Sequence, residues 1–163
     1  MTKRTVYVET SVIGYATSRP SRDLVIAAHQ QITRDWFLRA ATRFELFVSE
    51  AVIDEIEAGD ETAAHERKEL IRGLPSLAVN AAVGELARTL VTSGAIPGVA
   101  TEDAIHVAVA AVHGVEFLVT WNCRHIANAV MRDKIERSCA DSGCRPPFIC
   151  TPEELLDEQA TTD

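Results

Sequence analysis

Three carboxylates are placed where an ordinary core would not want them. Glu9 follows the run Thr5-Val6-Tyr7-Val8 in TVYVETSVIGY, so a buried strand delivers an acid, then two hydroxyls, Thr10 and Ser11, as the chain leaves the interior. Glu55, in SEAVIDEIEAGDE, lies beside Val52 and Ile56 on the inward side of a helix. The acids Glu50, Asp54, Glu57 and Glu61, spaced three or four apart, share its solvated face. Asp103, in ATEDAIHVAVAAVHG, shares a face with His106 and Val107, while Glu102 beside it is placed to serve the helix dipole.

An acid on an apolar face is costly unless it is paired or binds a cation. Acids that meet in one cleft repel unless a cation or a proton compensates them. Oxygen donors without cysteine suit a hard ion, magnesium or manganese. Such ions activate water and stabilise the entering and leaving oxygens of phosphodiester cleavage. Thr10, Ser11 and Asn122 add neutral oxygens and hydrogen-bond donors. Each residue also has a plainer reading: Glu55 at a boundary reaching water, Asp103 answering the dipole, His106 hydrogen-bonded within the core.

The elements that must carry these residues alternate. Thr5–Val8 reads as a strand. Leu24, Ala27, Ala28, Ile32, Trp36, Phe37 and Ala40 mark a helix within 22–43. A strand at Phe44–Val48 leads into a helix capped by Ser49 and stopped by Gly59. Helices follow over 62–72 and 81–92, with a short strand at 77–79 between them. Thr101 is the expected cap of a helix closed by Gly114. Strands at 116–120 and 148–150 flank a helix expected over 125–141, and Pro152 opens a short terminal helix. Strands separated by helices imply an α/β fold with a parallel sheet covered on both faces. Ligands gather beyond the carboxyl ends of such strands, where Glu9 and Asn122 lie.

Bulk properties narrow the class. The chain has 163 residues, of which 47% are hydrophobic and 25% charged, as expected of one folded domain rather than a disordered chain. No apolar run is long enough to span a membrane, and Glu9 interrupts the first one, so the expectation is a cytoplasmic protein without a signal peptide. Its 4 cysteines form no C-x-x-C pair and are expected to be free thiols. A net charge of −8 argues against holding nucleic acid by bulk electrostatics and fits a cation site or a basic partner.

Taken in order, VYVETSVIGY, SEAVIDEI, TEDAIHVAVAAVHGVEFLVTWN and CRHIAN resemble the PIN-domain proteins, in particular the VapC-like ribonuclease toxins of toxin–antitoxin systems. The likeness runs over roughly Val6 to Ile149. It implies a PIN-like three-layer α/β/α sandwich with a parallel sheet of four or five strands, forming one domain with a core over 5–150 and a short tail. It also implies a magnesium-dependent endoribonuclease, with manganese as a substitute ion. Matched position by position, Glu9 is the first-strand acid, Glu55 the helix acid and Asp103 the third, while Asn122 stands where a fourth acid is common. Two departures matter: the first acid is commonly Asp, and the fourth position here is neutral. The resemblance implies that Glu9 and Asp103 hold the ion, that Glu55 and Asn122 ligate it or position its waters, and that no histidine need act as base. Arg19, Arg22, Arg124 and His125 are candidate phosphate guides. Expected partners are an RNA substrate, a cognate antitoxin protein and a second copy in a homodimer, with no membrane. The alternative is a catalytically weak PIN-like module that binds RNA or protein. A phosphatase ranks last, because the first strand lacks the D-x-D pattern of one major group.

Overall fold

Five short strands and seven α-helices alternate along residues 2–156, the part of the chain that the computed structural model describes. The strands are β1 (Arg4–Val8), β2 (Phe44–Ser49), β3 (Ser76–Leu77), β4 (Phe117–Val119) and β5 (Phe148–Cys150). All neighbours pair in parallel, in the order β3-β2-β1-β4-β5. Parallel pairing requires crossovers, and helices supply them: α1 (Thr10–Thr17), α2 (Leu24–Arg43), α3 (Glu50–Glu57), α4 (Glu61–Leu70), α5 (Ala81–Thr92), α6 (Thr101–Val112) and α7 (Arg132–Asp141). The result is the expected α/β/α sandwich. Among its helices α5 packs on α6 and α7, and α1 packs on α2 and α4.

β1 is central, and its side chains Val6, Tyr7 and Val8 are fully buried, as are Leu118 and Val119 on β4. The chain leaves β1 toward β2 on one side, and later returns to β4 on the other. The β1–β4 seam is therefore the point where strand order reverses, and its carboxyl end is the crevice where such sheets bind ligands.

Several local expectations change. The Val12-Ile13 run belongs to a helix that starts directly after β1, with Glu9 as its N-cap accepting from Ser11 N at 3.1 Å. Thr101 does not cap α6. A 3₁₀ turn over Gly98–Ala100 runs straight into that helix, and the Thr101 hydroxyl bonds back to Gly98 O at 2.9 Å. The helix expected from His125 begins only at Arg132. Asn122 Oδ1 accepts from His125 N at 3.0 Å and Asn128 Oδ1 from Val130 N at 3.0 Å, side-chain bonds that divert the backbone into turns. Past β5, Pro152–Leu155 is a single 3₁₀ turn, and the tail beyond lies outside the described residues. On α2 the buried positions are Gln30, Thr33, Trp36 and Ala40, while Leu24 and Leu38 are 86% and 82% exposed. Among the described residues no helix is long and apolar enough to cross a membrane, and the four cysteines are free.

Candidate metal centre

Glu9 enters the site because β1 ends there and α1 must be capped there. Its carboxylate is 5% exposed, and one oxygen carries the structural bonds. Oε2 accepts from Ser11 N, from the Ser11 hydroxyl, and from Thr120 Oγ1 at 2.8 Å. Charge-assisted bonds of this kind make a buried carboxylate tolerable. Oε1 is left facing His106 Nε2, 4.0 Å away.

Glu55 reaches the same place from α3, its neighbours Val52 and Ile56 buried as expected. Its Oε1 lies 2.5 Å from His106 Nε2. On the far side of the imidazole, Nδ1 is 2.6 Å from the Tyr7 hydroxyl, which is 2.8 Å from Ser49 Oγ. This chain satisfies both protonation states of His106. A protonated ring donates to Tyr7, which donates to Ser49; a neutral ring accepts from Tyr7, and Ser49 then donates.

Burial by itself favours neutral His106. The Glu55 hydrogen bond and the charges of Glu9, Glu55 and Asp103 outweigh it, so the imidazole pKa is raised. Burial likewise pushes Glu55 up, but the hydrogen bond and charge of His106 outweigh that too, and Glu55 is lowered. Burial also drives the Tyr7 hydroxyl upward, keeping it protonated. The acids on either side of His106 thus favour its protonated form.

Glu9, Glu55 and His106 each offer a ligand atom within 4.8 Å of the other two. Oxygens bound to magnesium at about 2.1 Å lie roughly 3–4 Å from one another, so a modest inward shift suffices to close the cluster on an ion. A second observation agrees. Thr10 Oγ1 is buried at the wall of the cluster beside Glu55, whose pKa its hydroxyl helps to lower, so it adds a neutral oxygen there. The donor set fits a divalent cation, with the His106 proton as its competitor.

Asp103 and Asn122 stand at the rim of the same mouth. Asp103 Oδ2 is 2.9 Å from His125 Nδ1, and His125 N donates to Asn122 Oδ1. Asn122 N donates to Thr120 Oγ1 at 2.9 Å, and that hydroxyl donates to Glu9. One wall therefore links Asp103, Asn122 and Glu9, and Glu55 faces Glu9 across His106. Only Glu9 and Glu55 fall in the tight cluster; Asp103 is engaged by a histidine and the Asn122 amide oxygen holds a turn. Of the candidate phosphate guides, His125 is the one that contacts an acid of the site.

Two contributors, Thr120 and Trp121, escaped sequence reasoning, and a third, His106, has partners that only the structure shows. It is the hydrogen-bonded core histidine that the sequence favours, and those partners are Tyr7 and Glu55. Thr120 looked like the end of a strand. Trp121 donates its backbone N–H to Ser11 Oγ at 2.9 Å and its indole N–H to Thr33 Oγ1 at 2.7 Å. Its ring stacks on His29, centroids 4.1 Å apart, which locks the exit of β4 against α1 and α2.

Comparison with known proteins bears on this arrangement. The family model described as PIN domain matches residues 6–129. No curated protein sequence matches the chain. Among solved structures, the chain is similar to VapBC2 from Rickettsia felis, in a crystal structure bound to a DNA fragment from its promoter. The two are 14% identical, the match covers 90% of this chain and 98% of that one, and the TM-score is 0.57. That likeness is one of fold.

Proposed function

The chain belongs to the PIN domain family, and on that premise we propose that it is a magnesium-dependent endoribonuclease acting as the toxin of a toxin–antitoxin pair. PIN domains are generally nucleases. The observation that carries the reading is the meeting of Glu9 and Glu55, from β1 and α3, around one point at the sheet's reversal. Glu9, Glu55 and Asp103 are the residues that would hold the ion, with Asn122 beside them. When bound, magnesium or manganese supplies Lewis acidity at the scissile phosphate and lowers the pKa of a bound water.

The chain's own groups set the rest. Ser11 and Thr120 fix Glu9 Oε2, so that Oε1 faces the cluster. His106 Nε2 donates to Glu55 and faces Glu9, so the imidazole holds the two acids together in the cluster. His125 fixes one oxygen of Asp103, orienting the carboxylate at the rim. A pair of acids already organised by other residues loses little on binding the ion.

An antitoxin partner is supported by the family and by the similarity of fold to VapBC2. A net charge of −8 suits a basic segment reaching into the mouth. Homodimer formation would draw on the exposed apolar positions of α2, Leu24 and Val25 among them. The alternative, a non-cleaving module, is favoured by one feature, the use of the Asn122 oxygen in a turn.

Purified protein titrated with magnesium or manganese against a panel of RNAs tests the reading. Cleavage that chelation stops, and that Asp103→Asn loses while remaining folded, supports the nuclease. Binding to RNA without cleavage under either ion supports the module instead.

A further inference from the structure

We propose that Arg67 binds the backbone phosphate next to the scissile one, making the cavity between α1 and α4 a phosphodiester subsite for single-stranded RNA; the proposal rests on the nuclease reading above. Arg67 extends from α4, and its Nε is buried with no hydrogen-bond partner. Among the described residues its guanidinium has neither a hydrogen bond nor a carboxylate within 4.0 Å, unlike Lys68 next to it, which pairs with Glu57 at 2.8 Å. An arginine held partly buried and unpaired is a poor structural investment and a good anion site.

The two terminal nitrogens of Arg67 lie beside glycines of two other segments. A Cβ on Gly14 would stand 3.9 Å from one terminal nitrogen of Arg67, and a Cβ on Gly59 would stand 3.7 Å from the other. The guanidinium therefore packs beside Gly14 of α1 and Gly59 just past the end of α3, at van der Waals distance from the position a Cβ would take on each. Its fork faces a cavity of about 430 Å³ that Arg19, Thr17 and Ser18 also line. The Thr17 and Ser18 hydroxyls donate to α1 carbonyls, so the arginines are left as the cationic donors. Two acids line the same cavity: Asp60 is occupied in capping α4, accepting from Ala63 N at 3.1 Å, and Glu66 is exposed.

Position decides what the anion is. Gly14 follows Thr10 by four residues on α1, and Gly59 follows Glu55 by four across the end of α3. Thr10 and Glu55 are neighbours at the metal centre. Four residues of α1 rise about 6 Å, so Gly14, beside which the guanidinium packs, lies one turn along α1 from Thr10 at the acids. A phosphate bound there is one nucleotide along from a phosphate at the acids. The acids repel a polyanion, and this arginine gives the strand a fixed entry on one side, which orients it across the site.

The test is the salt dependence of RNA cleavage by the intact protein in magnesium. Each phosphate contact on a single strand contributes about 0.7 to the slope of log affinity against log salt. Arg67→Gln is expected to raise KM about tenfold, leave kcat within about twofold, and lower the slope of log KM against log salt by about 0.7. Arg67→Lys keeps the charge and loses the fork, so it is expected to keep the slope while raising KM; it serves as the test if the Gln variant does not fold. Unchanged KM and slope in either folded variant overturn the subsite, as does a loss confined to melting temperature and kcat. Wild-type protein that neither cuts nor binds RNA in any divalent ion overturns the nuclease reading itself, a result distinguishable from an active wild type with indifferent Arg67 variants.

Discussion

The two ends of β1 carry charges of very different consequence. At its start Arg4 pairs with Glu116 on the surface, the guanidinium also stacking on Phe117 at 4.5 Å. That contact raises Arg4 and lowers Glu116, each mainly through their mutual hydrogen bond, in a setting open to water. At the other end, five residues on, Glu9 is buried among hydroxyls, a second acid and a histidine. Water screens the first pair, and its partners are interchangeable with solvent. The second group has no such escape, and the hydroxyl donors and His106 answer its charge and that of the second acid. The same strand thus ends once in decoration and once in chemistry, and burial makes the difference.

Changes at the buried end should have the largest effects. Glu9→Gln keeps the cap geometry and removes the charge; cleavage measured as kcat/KM should fall by more than about 100-fold, beyond the 10–100-fold typical of groups that merely orient a ligand. Thr120→Val removes a donor to Glu9 and an acceptor for Asn122 N, and manganese affinity measured by calorimetry should weaken by about 10-fold or more. His106→Gln leaves Glu55 without its imidazole, and denaturant unfolding should register a loss of about 2 kcal/mol, below the usual buried-pair figure because Glu55 is partly exposed.

The same histidine predicts a pH profile. Its folded pKa lies above the ordinary value, so the folded state holds the proton longer and stability falls as pH rises. In chelator, the melting temperature of the wild type should decline from about pH 6.5 through the raised folded value. Glu55, lowered in the fold, contributes stability above about pH 4.3 that is lost as pH falls through its folded value. His106→Gln should flatten the alkaline decline and leave the protein's other titrations in place. The smallest effect belongs to the exposed end: Arg4→Ala should leave cleavage unchanged and alter the melting temperature little, less still in high salt.

The sheet and its acids were legible because they rest on strong patterns. Strand-length apolar runs separated by helical periods define a parallel sheet, and an acid on an apolar face announces itself, as Glu55 did. Other features depend on tertiary placement. Val12-Ile13 is too short a run to separate strand from helix, so α1 was missed, and with it the capping role of Glu9. His106 sits on an apolar helix face as any core histidine would, and only the convergence of α3 with β1 gives it two acids. The turns at Asn122 and Asn128 rest on side-chain bonds that periodicity does not reveal. Arg67 lies on a polar helix and becomes notable only once the fold leaves its Nε buried without a partner beside Gly14 and Gly59.

Manganese binding followed by electron paramagnetic resonance tests the central claim most directly. The wild type should bind the ion stoichiometrically, more tightly above the pH at which His106 releases its proton, and both Glu9→Gln and Glu55→Gln should abolish that binding while remaining folded. Equal binding by all three proteins would contradict the account.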